Sequence, residues 1–133
     1  MHTPFTLLVH DDAKADLEQL WKDAPRAAAR IAVLLQELQG SQDLLDRLTQ
    51  HGFGDRSHAK FHISRWLEYW RKGKNLWRLK DWNLENDGFR YRIIYTFVPS
   101  KMQYHILAIA PRDFNYVANH PITKRVLRAC SDL

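Results

Sequence analysis

Cysteine is almost missing from this chain: Cys130 stands alone, three residues from the end of 133. One thiol builds no disulfide framework, and without companions it makes no cysteine-rich zinc site. A reducing cytoplasm is therefore the expected compartment. Long apolar runs are also missing. No stretch approaches the ~18 residues that span a bilayer, and no charged amino-terminal segment leads into an apolar core. A soluble, non-exported protein is expected. Internal repeats and low-complexity linkers are absent too, and 133 residues suffice for one hydrophobic core, so a single domain over 1–133 is predicted.

Hydrophobic residues make up 45% and aromatics 12%, five of them Trp, a composition that excludes disorder and requires packing. The formal charge is +5, and its location is more informative than its size. Residues 60–92 hold nine Lys or Arg against four acids, whereas the rest of the chain has eleven of each sign. The whole excess sits in one region. A localised basic field fits nucleic acid or an acidic protein partner.

The order of elements reads as α+β. Phe5 to Val9 forms a first strand, and Asp11 or Asp12 caps a helix whose buried stripe is Ala13, Leu17, Leu20 and Trp21. Pro25 opens a second helix with Ile31, Leu34, Leu35 and Leu38 on one face, completing a helical hairpin. Ser41 caps a continuation through Leu44, Leu45 and Leu48. After a loop from His51 to Ser57, the spacing of Ile63, Trp66, Leu67 and Trp70 is helical, while Phe61-His62-Ile63 is equally compatible with extended chain. Three strands follow, over about 75–82, 89–98 and 103–110. Asn86-Asp87-Gly88 and Pro99-Ser100-Lys101 supply turn chemistry between them, which predicts an antiparallel meander. A short helix then starts near Asn119-His120-Pro121, with Ile122, Val126 and Leu127 on one face and Leu133 at the end. Helices are expected against one face of the sheet.

Two of these strands carry cations at alternate positions, Arg78 with Lys80 and Arg90 with Arg92. Residues two apart share a face of a strand, so each pair gives one side of the sheet a basic character. Such a face suits a polyanion.

The Leu-Trp-Arg-Leu-Lys strand at 76–80, the Tyr-Arg-Ile-Ile-Tyr strand at 91–95 and Ala-Pro-Arg-Asp-Phe-Asn-Tyr at 110–116 resemble, in order and spacing, the RelE-like toxins of bacterial type II toxin-antitoxin systems (the RelE/ParE superfamily). The resemblance runs from Phe5 onward and is strongest from Leu76 to Tyr116. It is weakest over 51–74, where this chain has more residues than compact members of the family. It implies a microbial-RNase-type fold, with an N-terminal strand and helical hairpin on an antiparallel sheet and a short C-terminal helix. It also implies an mRNA endoribonuclease that needs no metal or cofactor, acts on the ribosome, and is neutralised by a cognate antitoxin. By position, Arg78 and Lys80 match the family's basic strand pair, Arg92 the arginine opening its Arg-x-x-Tyr strand, Arg112 the arginine ending the next strand, and Tyr116 the tyrosine beyond it. Arg90 and Lys74 are taken as additional RNA-binding cations. Gyrase-directed ParE-like proteins share the fold without the nuclease residues, so fold alone does not decide activity. A non-toxic RNA-binding module is the remaining alternative.

RNA cleavage by its own 2′-hydroxyl needs a proton acceptor, stabilisation of charge on a pentacoordinate phosphate, and a proton donor to the departing 5′-oxygen. Clustered Arg and Lys meet the second need. Neighbouring positive charge also opposes further protonation, so the pKa of Lys80 or Tyr116 is expected to fall, and either is a candidate for proton transfer. Arg92 and Arg112 are assigned to the phosphate and Arg78 to the backbone. Trp77, Trp82 and Phe114 are read as packing groups. His120, four residues beyond Tyr116, is either an alternative acid or base or a helix cap. His58 and His62 are spaced like helical metal ligands but have no third partner, so no metal is expected.

Overall fold

A computed structural model describes residues 4–55, 59–114 and 116–133. Its elements are β1 (Thr6–Val9), α1 (Asp11–Asp23), α2 (Pro25–Gln39), α3 (Gln42–Arg47), β2 (Phe61–Arg65), α4 (Leu67–Trp70), β3 (Leu76–Asp81), α5 (Trp82–Asn86), β4 (Tyr91–Val98), β5 (Gln103–Pro111) and α6 (Pro121–Ser131). The five strands form one sheet in the order β1-β5-β4-β3-β2. The fold is α+β as expected, but the sheet is mixed: β1 runs parallel to β5, and the other neighbours are antiparallel. A two-residue hairpin joins only antiparallel strands, and the long path between β1 and β5, through helices and three other strands, is what permits the parallel pair.

Strand β2 resolves the ambiguity around residue 61. Phe61 and Ile63 are buried while His62 and Ser64 are half-exposed, the alternation of a strand with one covered face. Their partners on β3 are Asp81, Leu79, Lys80 and Arg78. Helix begins only at Leu67, as the single turn α4. The outer edge of β2 is closed by the preceding loop, with Gly52 N–H donating to Ile63 O at 2.8 Å and Ile63 N–H to Phe53 O at 2.9 Å. Gly54 makes that approach possible. At φ +74°, a Cβ there would lie 2.0 Å from the Phe61 carbonyl oxygen.

One sheet face packs against α1, α2 and α3. Trp77, Leu79, Ile93, Tyr95 and Tyr104 from the strands meet Leu20, Ile31, Leu34, Leu38 and Leu45 from the helices. The expected stripe of α2 is buried throughout, but Trp21 of α1 is 45% exposed. It lies one residue past Leu20, about 100° round the helix, at the rim of the covered face. The cap of α1 also differs from expectation: His10 precedes the helix, and its Nδ1 accepts from Asp12 N–H at 3.0 Å. Asp11 and Asp12 fall in the first turn, where their charge still favours the helix dipole. Ser41 caps α3 as predicted, accepting from Leu44 N–H.

Helices do not keep to one face. On the opposite side, Val126 and Ala129 of α6 pack over Ile94, Leu107, Ala108 and Ala110, with Trp66, Tyr69 and Phe114 at the margin. A bulge supports this second layer: Ile94 pairs with Ala108 but Tyr95 with Ile106, leaving Leu107 as an extra residue on β5. Asp16 of α1 accepts from Ile109 N–H at 2.9 Å and from both terminal nitrogens of Arg125 at 2.8 and 2.7 Å. One carboxylate thus ties α1, β5 and α6 together. Among the described residues, no helix is long and apolar enough to cross a membrane.

Candidate active site

Helix α6 covers only part of the second face. Beyond it, Arg78, Lys80, Arg92, Arg112 and Tyr116 line one cavity of about 340 Å³ together with His62 and Ser64. Strand register explains the convergence. Arg78 lies opposite Ser64 and Lys80 opposite His62, so alternate residues of β2 and β3 point into the same space. Arg92 pairs with Ala110, which is buried in the packing under α6. Arg112 follows β5 directly, its N–H donating to Arg90 O at 3.0 Å.

The cations are not equivalent. Arg92 is 8% exposed and forms an ion pair with Glu85 of α5, while also donating to Tyr91 O at 3.0 Å. Its charge is largely spent within the protein. Arg78 donates from Nε to Ser64 Oγ at 2.7 Å, and its guanidinium lies 4.8 Å from the centre of the Tyr116 ring. Lys80 Nζ sits 4.5 Å from the Trp82 ring centre. Among the described residues, no carboxylate forms an ion pair with Arg78, Lys80 or Arg112. These three are the cations available to a ligand.

Proton affinities follow this arrangement. Partial burial lowers the pKa of Lys80, and Arg92, Arg112 and Arg78 lower it further against the opposing pull of Glu85. The direction is the expected one, although burial and not the neighbouring charge is its largest cause. Tyr116 goes the other way: burial of its ring and hydroxyl raises its pKa, and the fields of Arg78, Arg92 and Arg112 only partly offset this. Desolvation outweighs the cations because the hydroxyl is enclosed. The backbone at Tyr116 is left-handed, φ +58°, and Trp66 and Phe114 enclose its ring. Strain of ~1–3 kcal/mol is typical of a non-glycine residue held there.

His62, Ser64 and Glu85 also belong to the site and were not anticipated as site residues. The first two are visible once Phe61–Arg65 is read as a strand, because they alternate with buried Phe61 and Ile63. Glu85 had no such signal; it arrives through the single-turn helix α5, capped by Asp81 where a longer β3 was expected. His62 stacks on Trp82, ring centres 6.1 Å apart and planes 18° off parallel. Burial lowers its pKa first and Lys80 second, while Asp55 opposes the shift.

Arg90 and Lys74 do not join the cavity. Arg90 lines a neighbouring depression of about 410 Å³ with Phe89, Tyr91 and Pro111, which shares Arg112 with the main site. Lys74 lies beyond the opposite end of β3, beside Trp70, Gly73 and Asn75, ~20 Å along the chain from Lys80 at strand spacing. His120 caps α6, its Nδ1 accepting from Ile122 N–H at 3.1 Å, with its ring against Phe114. His58 lies outside the described residues. Among those described, no group of three or more His, Cys, Asp or Glu is placed to hold a metal ion. Trp77 and Phe114 are buried, as their reading as packing groups required.

No protein-family model, no curated protein and no solved structure matches the chain.

Proposed function

We propose that this chain is the toxin of a type II toxin-antitoxin system, a RelE-like endoribonuclease of the cytoplasm that cuts messenger RNA on the ribosome and is neutralised by a cognate antitoxin. The supporting observation is the meeting of Arg78, Lys80, Arg92, Arg112 and Tyr116 in one cavity beside the uncovered part of the sheet. A packed domain has no structural need for three cations without a carboxylate around one depression, and the successive phosphates of an RNA backbone would supply their countercharge.

In this reading, Arg112 and Lys80 face the scissile phosphate and stabilise the charge that accumulates on its oxygens as the 2′-oxygen attacks. Arg78, fixed by Ser64 and covered by Tyr116, holds the neighbouring backbone. Arg92 adds field from behind, its position set by Glu85. Because cationic side chains do the electrostatic work, the chemical step is expected to proceed without a divalent ion. The antitoxin is expected to lay acidic or apolar residues across the same cations and exclude RNA sterically.

Expression in bacteria, with transcript 5′ ends mapped, tests the reading. Growth arrest with new ends inside reading frames is expected, reversed by Arg112→Ala, which should lower cleavage ~10²–10³-fold by removing a phosphate-facing charge. Arrest with intact transcripts and accumulated cleaved DNA would replace the reading with a gyrase-directed, ParE-like toxin. RNA binding without arrest would leave a non-toxic RNA-binding module.

A further inference from the structure

We propose that His62 is the proton acceptor of this site, taking the 2′-hydroxyl proton of RNA bound in the cavity. This rests on the ribonuclease reading and adds a catalytic residue to the Arg, Lys and Tyr set.

Three groups lining the cavity can exchange protons near neutral pH or above, and their surroundings separate them. Tyr116 is held in its neutral form by burial, so tyrosinate is scarce. Lys80 has a lowered proton affinity but starts from 10.5, which suits it to donating rather than accepting at neutral pH. His62 is directed into the cavity by the register that places it opposite Lys80. Its ring orientation is set by the stack on Trp82. Trp82 is itself anchored, Nε1 donating to Gly54 O at 2.7 Å. Among the described residues, the charged and titratable groups that act on His62 are Lys80 and Arg78 of β3 and Asp55 and His51 of the preceding loop; the cations and His51 favour a neutral imidazole, and Asp55 opposes it. A neutral imidazole at neutral pH is a competent base.

The step balances as follows. The 2′-hydroxyl gives its proton to an imidazole nitrogen of His62 while its oxygen bonds to phosphorus. The bond from phosphorus to the 5′-oxygen breaks, and that oxygen takes a proton from the Lys80 ammonium. The products are a 2′,3′-cyclic phosphate and a 5′-hydroxyl. No co-reactant is consumed.

The test is single-turnover cleavage of a messenger RNA, on ribosomes and free, by the wild type and by His62→Gln from about pH 5 to 8. The wild-type rate should climb about tenfold per pH unit on the acid side and level off once His62 is neutral, with a midpoint below 6.5 that coincides with the NMR titration of the His62 ring. His62→Gln should cut ~10²–10³-fold more slowly at neutral pH and lose the acid limb. Added imidazole should partly restore His62→Ala, which a merely structural role for the ring would not allow. A 2′-deoxy nucleotide at the cut should abolish cleavage by the wild type. An unaltered acid limb in folded His62→Gln, or an NMR midpoint that departs from the kinetic one, overturns the assignment while leaving the ribonuclease reading intact. A wild type that cuts no RNA in either setting overturns both.

Discussion

Arg92 and Ile94 stand two residues apart on the same side of β4, yet Ile94 is sealed beneath α6 while Arg92 opens toward the cavity. Leu76 and Arg78 make the same contrast on β3. One sheet face is therefore divided into a covered half and an open half, and the division follows the reach of α6. That helix is held in place by the Asp16 carboxylate between Arg125 and the Ile109 amide. Had α6 extended over the open half, it would have desolvated three cations with no carboxylate to pair them, at a cost of several kcal/mol each. The lesson is local: chemistry is available where the second layer stops, and the residues on either side of the boundary are suited to opposite solvents.

Arg92 lies on that boundary and gives the sharpest test of it. If it belongs energetically to the covered half, its charge is tolerated only because Glu85 balances it, and Glu85→Ala should cost ~3–5 kcal/mol in urea unfolding. The double variant Glu85→Ala/Arg92→Met should recover most of that loss, since the buried charge is gone. A cost below ~1 kcal/mol for Glu85→Ala would show that water in the cavity solvates Arg92, moving it to the open half with the ligand-facing cations.

A smaller effect should separate two truncations on the two sides. Val126→Ala removes two methyl groups from a fully buried position of α6 and should destabilise by about 2 kcal/mol. Arg112→Ala removes a larger side chain from an exposed turn and should change stability by less than ~0.5 kcal/mol while abolishing toxicity. Equal losses in thermal unfolding would mean that the open half is part of the packed core, and the distinction would fail.

Much of this division is legible in the sequence, and the parts that are not have identifiable causes. The stripe of α2 and the alternate cations of β3 and β4 follow from periods of 3.6 and 2, so the hairpin and the basic strand faces could be read directly. Residue-by-residue resemblance pointed to five of the seven residues that line the cavity. The strand β2 was ambiguous because Ile63, Trp66, Leu67 and Trp70 satisfy helical spacing by coincidence, and pairing with β3 decides the matter through contacts distant in sequence. The parallel placement of β1 and the covering of the second face by α6 depend on topology, to which local periodicity is blind. Tyr116 was expected to gain acidity from its cationic neighbours. Burial prevailed instead, and burial is a property of the folded chain.

The smallest expected effect concerns Lys80, which lies on the open half but is partly desolvated there. Its folded-state pKa is lowered from 10.5, by burial first and then by Arg92. Between the lowered value and 10.5 the unfolded chain binds more protons than the folded one, so wild-type stability rises with pH across that window; below it the full penalty of holding the charge is present. Lys80→Met keeps an apolar stem against Trp82 and removes the charge. The variant should therefore melt at or slightly above the wild-type temperature through neutral pH, and its advantage should shrink as pH climbs toward 10.5. Added salt should reduce the advantage too, because it screens the repulsion from Arg92, Arg112 and Arg78. A variant that melts clearly below the wild type at neutral pH would mean that the contact of Lys80 with the Trp82 ring, at 4.5 Å, stabilises the fold by more than the clustered charge opposes it. In that case Lys80 would act on stability as a packing residue with a charged tip.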